Sequence, residues 1–353
     1  MNRRRAEDYG LRVGELARGP LDKISDVPGV RVGHATVRDV RHNTGVTVIL
    51  PCEDNMFRSK LTAASFVLNG FGKTQGLIQV DELGTLETPI ALTNTLNVGV
   101  VHDALVGYMA ERCARERVMM RSLNPVVGEC NDSRLNAIED RAVTREHVLA
   151  AIADAREDFD EGDIGAGAGT VCHDLKGGIG SASRVVSVAG QAYTLGVLVQ
   201  SNHGCLQELT VCGRRLGEEI IAKRKQAPPA APMDRGSIMM VVATDLPVSD
   251  RQLRRIIKRC SVGLARCGSY FGHGSGDVMI GFSTANRVPH GGMARVLTRR
   301  EVTEEALEGA FFAVAEATQE AVLNSLCCAD DVTGPDGQTV EAIGRYLTDM
   351  QKP

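Results

Sequence analysis

Short apolar runs, each closed off by turn-forming residues, recur along the chain and alternate with stretches whose apolar residues return every three to four positions. That alternation points to sheet layered against helix, because each kind of segment has one apolar face to bury and the other kind at hand to bury it. Strands are expected at 45–50 (GVTVIL), 64–68, 90–95, 184–189, 193–200, 238–244 (IMMVVAT) and 277–283 (DVMIGFS). Helices are expected to start near His102, Thr144, Cys205, Ser249 and Thr303. In the fourth of these, Leu253, Ile256, Ile257, Cys260 and Leu264 share a face behind a Ser249 or Asp250 cap. In the fifth, Leu307, Ala310, Phe311, Val314 and Ala317 do the same behind Thr303.

The chain has 353 residues, enough for a large core, and a net charge of −4 with no tryptophan and five tyrosines. It therefore lacks the basic footprint and aromatic platform that nucleic acid requires. No apolar run approaches the roughly eighteen residues of a membrane span. The Arg3, Arg4, Arg5 run is followed by polar sequence and not by the apolar middle of a secretory signal, so a soluble cytoplasmic chain is expected. Ten cysteines are scattered without a C-x-x-C pair or zinc spacing, which reads as buried reduced thiols and no metal. Glycine is the outlying number: 38 residues, roughly 11% against a usual 7%, so many backbone positions must be tight turns or close approaches. The clusters GAGAGT (165–170) and KGGIGSASR (176–184) match neither nucleotide fingerprint and are read as close backbone packing.

Composition breaks sharply once, at 222–236 (AKRKQAPPAAPMDRG), which reads as an exposed linker. Gly236 closes it and Ser237 follows, opening a strongly apolar strand. A serine there can be an ordinary strand-edge residue. It can also be a nucleophile that attacks the preceding carbonyl, which a glycine leaves unobstructed. Cleavage at that bond would produce a serine carrying its own α-amine, a base with a reference pKa near 7.7 to 8.

Ordered blocks decide between these readings. They include ISDVPGVRVGHATV (24–37), LNGFGKTQGL (68–77), ELGTLETPIALTNTLNVG (82–99), NPVVGECND (124–132), GAGAGTVCHDLKGGIGSASR (165–184), YTLGVLVQSNHG (193–204), GSIMMVVATDLP (236–247) and GHGSGDVMIGFSTAN (272–286). Over about residues 24–333 the chain resembles the self-cleaving N-terminal-nucleophile serine hydrolases called β-aminopeptidases or L-aminopeptidase/D-amidase-esterases. The resemblance implies a four-layer α-β-β-α sandwich, one folded unit over 1–353, and self-cleavage between Gly236 and Ser237 into chains 1–236 and 237–353. It implies Ser237 as nucleophile, Ser275 and Asp277 as the groups orienting it, and Asn202 as oxyanion donor. Two residues apart on a strand, Ser275 and Asp277 point to one side.

Glu129 and Asn131 fall where the family lines its substrate pocket, with Glu129 suited to a free ammonium. Some members carry an aromatic hydroxyl near the position of Asn131, and this chain carries an amide. The resemblance further implies small peptides, amino-acid amides or esters as substrates, a homo-oligomer, and no cofactor. His203 and His273, beside Asn202 and Ser275, offer a rival Ser/His/Asp triad or else structural roles. Hydrolysis of a non-peptide amide, or an uncleaved chain serving as a binding scaffold, are the alternative functions.

Overall fold

The computed structural model describes residues 3–224, 236–291 and 295–350. Two sheets carry the fold. A four-stranded sheet has the order β1 (Arg31–Arg38), β2 (Asn43–Leu50), β5 (Ile90–Asn94), β6 (Val126–Cys130). A six-stranded sheet has the order β4 (Thr85–Leu86), β3 (Ser59–Gly70), β12 (Gly276–Pro289), β11 (Ser237–Thr244), β10 (Gln191–Asn202), β9 (Ile179–Val188). A short hairpin, β7 (Val171–Cys172) and β8 (Leu175–Lys176), stands beside the second sheet.

The strand period of two builds the layers. On β11, Met239, Val241 and Ala243 pack with Ile49, Leu92 and Val126 of the other sheet, whereas Ile238, Met240 and Val242 pack on the opposite side. There they meet α5 (Asp250–Ile257), α6 (Cys260–Arg266) and α7 (Glu308–Cys327) through Leu253, Ile256, Leu264, Val314 and Ala317. Val46, Val48, Ala91 and Val127 turn instead toward α2 (Val98–Arg115) and α3 (Arg145–Ala153). The order is therefore helix, sheet, sheet, helix, with three apolar seams, as expected. Being covered on both faces, β11 can be apolar at nearly every position, which is why its run stood out.

Every expected strand is present, most extended by a few residues. β1 and β6 were not anticipated, because the first carries charge at both ends and the second is the five-residue VVGEC with a glycine and a carboxylate inside it. Two helix expectations are corrected. Only one turn, Leu206–Glu208, follows Cys205, after which Cys212 (φ 48°) and Gly213 (φ 82°) redirect the chain into α4 (Leu216–Arg224). The segment after Ser249 forms two helices, α5 and α6, with Ser249 accepting from the Gln252 amide as N-cap of the first. The linker is corrected at its start: residues 222–224 close α4, where Arg224 donates to Tyr346 Oη at 2.8 Å and to Glu341 at 2.6 Å. The rest of it, 225–235, lies outside the described residues. No helix among the described residues is long and apolar enough to cross a membrane.

Candidate active site

The six-stranded sheet is antiparallel except at its centre, where β11 and β12 run parallel. That exception brings three strand ends to one point. The first residue of β11, Ser237, pairs with Gly276, the first of β12, and with Asn202, the last of β10. Three of the expected site residues or their neighbours thus meet by register alone, although they lie 35 to 74 positions apart.

The Gly276 N–H faces both halves of the Gly236–Ser237 junction. It lies 3.2 Å from the Gly236 carbonyl oxygen and 3.3 Å from Ser237 Oγ. Ser237 is buried, and a Cβ on Gly236 would lie 1.8 Å from the Asn202 carbonyl oxygen, so only glycine fits before the serine. A Cβ on Gly276 would come 2.7 Å from the Phe71 carbonyl oxygen and 3.1 Å from Ser237 Oγ, so that position too is closed to side chains.

Ser275 and Asp277 flank Gly276 and are both fully buried. The Ser275 hydroxyl donates to Asp277 Oδ1 at 2.8 Å, so the two act as one hydrogen-bonded unit. A register shift between Asp277 and Val278 against β3 marks a bulge, the usual way a strand re-aims a side chain. Asn202 is held from the other side: its Oδ1 accepts from the Val171 N–H at 2.9 Å. That contact sets the amide orientation, leaving the NH2 branch as a donor.

Glu129, near the end of β6, is buried with both carboxylate oxygens engaged. The Lys73 N–H donates to Oε1 at 2.8 Å, and the Thr95 hydroxyl donates to Oε2. Gly72 lies between this carboxylate and Gly276, since a Cβ there would lie 3.5 Å from Glu129 Oε1 and 4.0 Å from Gly276 Cα. Asn131 is not brought to this group: it is exposed, and its Oδ1 accepts from the Ser133 N–H at 3.0 Å. The triad reading finds no pairing either. Among the described residues no histidine ring bonds Ser237 Oγ; His203 is engaged with Cys172 Sγ (3.8 Å) and the His173 ring, and His273 faces Phe71. Burial, with His173 close by, holds His203 well below the usual imidazole range, so it is neutral at pH 7. Among the described residues, Cys172, His173 and His203, whose ligand atoms lie within 4.8 Å of one another, are a group that could hold a metal, a grouping invisible in sequence spacing.

Behind Asn202 lies the glycine-rich turn. The fully buried Lys176 donates to the carbonyls of Gly167 (2.9 Å), Thr170 (2.9 Å) and Gly177 (2.6 Å). Burial pulls its pKa down to about 7, while three acceptors favour the form with three N–H donors. His34 supports the turn from β1. Its Nδ1 is 2.9 Å from Thr47 Oγ1, which also accepts from the Ala166 N–H. Burial lowers the His34 pKa to about 4. On acidification the unfolded chain, with a histidine pKa near 6.5, takes up its proton first. The His34 contribution is therefore complete above pH 6.5 and is lost on descent to pH 4, about 3 kcal/mol in all. Urea unfolding at pH 7, 5.5 and 4 will show that loss, and His34→Gln will show a correspondingly flatter dependence; an identical slope in the variant would remove His34 as its cause.

The Gly276 amide, the Val171 amide, Gly72 and Thr95 are participants that sequence reasoning did not single out. All four lie inside quoted blocks, GHGSGD, GTVCHD, FGKTQG and TNTLNVG, so position within a block was the available signal.

Known proteins are similar to this chain over nearly its whole length. The model of peptidase family S58 matches residues 22–340. The β-peptidyl aminopeptidase BapA of Sphingosinicella xenopeptidilytica is 37% identical over 358 residues, covering 96% of this chain and 88% of that protein. Among solved structures, the PH0078 protein from Pyrococcus horikoshii OT3 superposes with a TM-score of 0.91 at 43% identity, covering 99% of each chain. The L-aminopeptidase D-Ala-esterase/amidase from Ochrobactrum anthropi, described as a prototype of the serine aminopeptidases and a new variant of the Ntn hydrolase fold, superposes with a TM-score of 0.90 at 34% identity. That match covers 98% of this chain and 97% of the other. With its sandwich, its strand-opening serine and these matches from end to end, the chain belongs to peptidase family S58.

Proposed function

We propose that this protein is an aminopeptidase/amidase that cleaves itself between Gly236 and Ser237 and then uses Ser237 as an N-terminal nucleophile. The observation that carries the reading is the Gly276 N–H shared between the Gly236 carbonyl oxygen and Ser237 Oγ. A donor on that oxygen polarises the carbonyl and receives the negative charge that develops when the adjacent hydroxyl attacks it. The Gly236 acyl group passes from the Ser237 nitrogen to Oγ, the hydroxyl proton going to that nitrogen as it becomes the free α-amine, and water then hydrolyses the ester to the Gly236 carboxylate and the Ser237 hydroxyl.

In turnover the α-amine takes the Ser237 hydroxyl proton as Oγ attacks a substrate carbonyl, and later gives it to the leaving amine. The NH2 branch of Asn202 donates to the oxyanion, its other branch being held by Val171. The Ser275–Asp277 pair, on either side of Gly276, orients the Ser237 terminus. Glu129 receives the substrate ammonium, a reading supported by its burial and by its position one glycine away from Gly276. Small peptides, amino-acid amides and esters with a small α- or β-type first residue fit these roles, and the relatives are a β-peptidyl aminopeptidase and an L-aminopeptidase D-Ala-esterase/amidase.

The direct test is the intact mass of the purified protein under denaturing conditions, followed by a panel of α- and β-aminoacyl p-nitroanilides. Two pieces are expected, one beginning Ser-Ile-Met-Met, together with release of p-nitroaniline. A single 37.8 kDa chain without hydrolysis would overturn the proposal in favour of a binding or scaffold role.

A further inference from the structure

Lys176 is the most deeply buried cation near the site, and stability alone does not account for it. Its side chain has no solvent exposure, and no carboxylate among the described residues lies within salt-bridge distance of it. An ammonium taken from water without a counter-ion costs several kcal/mol, and an apolar side chain of similar volume often serves stability as well or better. What lysine supplies and an apolar residue cannot is three N–H donors at one point.

Those donors go to carbonyls at both ends of one tight turn, Gly167 and Thr170, and to Gly177, between β8 and β9. The Gly177 N–H in turn donates to the Thr170 carbonyl at 3.1 Å, which closes the ring. The turn is closely packed at its glycines: a Cβ on Gly169 would lie 2.1 Å from the Asn43 carbonyl oxygen, and one on Gly167 2.5 Å from the Ile179 nitrogen. The next residue along is Val171, whose N–H is the partner of Asn202 Oδ1. The direction of that N–H is set by the peptide plane it shares with the Thr170 carbonyl, the group Lys176 holds.

We propose that Lys176 is a positioning residue for hydrolysis: by clamping the Thr170 carbonyl it aims the Val171 N–H at Asn202 and so fixes the side-chain amide with its NH2 toward the oxyanion. This rests on Asn202 acting as the oxyanion donor, as put forward above. Without the clamp the 170–171 peptide plane can rotate, the amide loses its fixed partner, and its NH2 no longer meets the oxyanion in a single orientation. A misaimed donor lowers kcat while substrate affinity stays the same, because the oxyanion exists only after attack.

The test is a double-mutant cycle on the full-length chain with Lys176→Met, Asn202→Ala and the pair together. Turnover of an aminoacyl p-nitroanilide is expressed per processed Ser237 terminus. Lys176→Met is expected to lower kcat by about 10- to 100-fold with KM within about twofold, and to cost less than about threefold in the Asn202→Ala background. Unchanged kcat in Lys176→Met, or the same loss in both backgrounds, would overturn the proposal. An Asn202→Ala variant that turns over normally would instead sink the oxyanion assignment on which it stands, so the two failures are separable. Should Lys176→Met not fold, Lys176→Gln, which keeps two of the three donors, carries the same cycle under the same criteria.

Discussion

Ser237→Ala is expected to yield one chain of 37.8 kDa with no detectable hydrolysis. The change removes a single oxygen. Ser237 is the first residue of β11, and its backbone pairing with Asn202 and Gly276 does not involve the side chain. The strand behind it, from Ile238 to Ala243, is buried in two apolar seams and keeps every contact, so the fold and its thermal midpoint should be close to those of the parent. What is lost is the hydroxyl of the residue that follows the Gly236 carbonyl, and with it both the acyl shift and the α-amine that cleavage would expose. Loss of a catalytic nucleophile costs on the order of 10⁶ in kcat in a serine protease, and here self-processing fails as well. A Ser237→Ala preparation that still separates into two pieces on a denaturing gel would place the nucleophile elsewhere.

Asn202→Ala should lower kcat by about 10²–10³, equivalent to about 2.7–4 kcal/mol of transition-state stabilisation, the range found for a single oxyanion-hole donor. KM should move little, since the ground-state carbonyl does not need the donor. The β10–β11 register is made by backbone groups and survives the change. The Val171 N–H loses its side-chain acceptor and remains only partly buried, so some loss of stability in the 170–172 segment is expected alongside. Because slow processing would also lower apparent activity, rates are to be normalised to the fraction of chains ending in a free Ser237, read by mass. Turnover per processed chain equal to that of the parent would remove Asn202 from the mechanism.

Much of the framework is legible in the residues. The continuous apolar run at 238–244 was sufficient to place β11, and Leu253, Ile256, Ile257, Cys260 and Leu264, though divided between α5 and α6, are all buried as their shared face implied. The failures have local causes. β6 was passed over because a buried glycine and a buried glutamate interrupt its apolar pattern. Gly128 is there to admit Met239, whose Cε would lie 2.6 Å from a Cβ, and the buried Glu129 carboxylate is satisfied by the Lys73 N–H and the Thr95 hydroxyl. The helix expected from Cys205 gives way to a turn because α4 crosses over it so closely that a Cβ on Gly217 would lie 1.6 Å from the Leu206 carbonyl oxygen.

The site shows the same division. Residues close in sequence, Gly236 with Ser237 and Ser275 with Asp277, could be paired from the chain alone, because neighbouring residues on a strand have fixed relative directions. Asn131 shows the limit of that reasoning: it lies two residues from Glu129, yet it is turned to solvent and held by its own loop.

By itself, then, the sequence determined the periods, the turns and the serine at the mouth of a buried strand, all of which depend on residues within a few positions of one another. Only the tertiary structure decided that the ends of β10, β11 and β12 coincide, that the Gly276 amide faces the Gly236 carbonyl, and that Lys176 stands behind Asn202. Those relations are set by strand register and by close backbone packing between segments tens of residues apart, and local propensity carries no information about either.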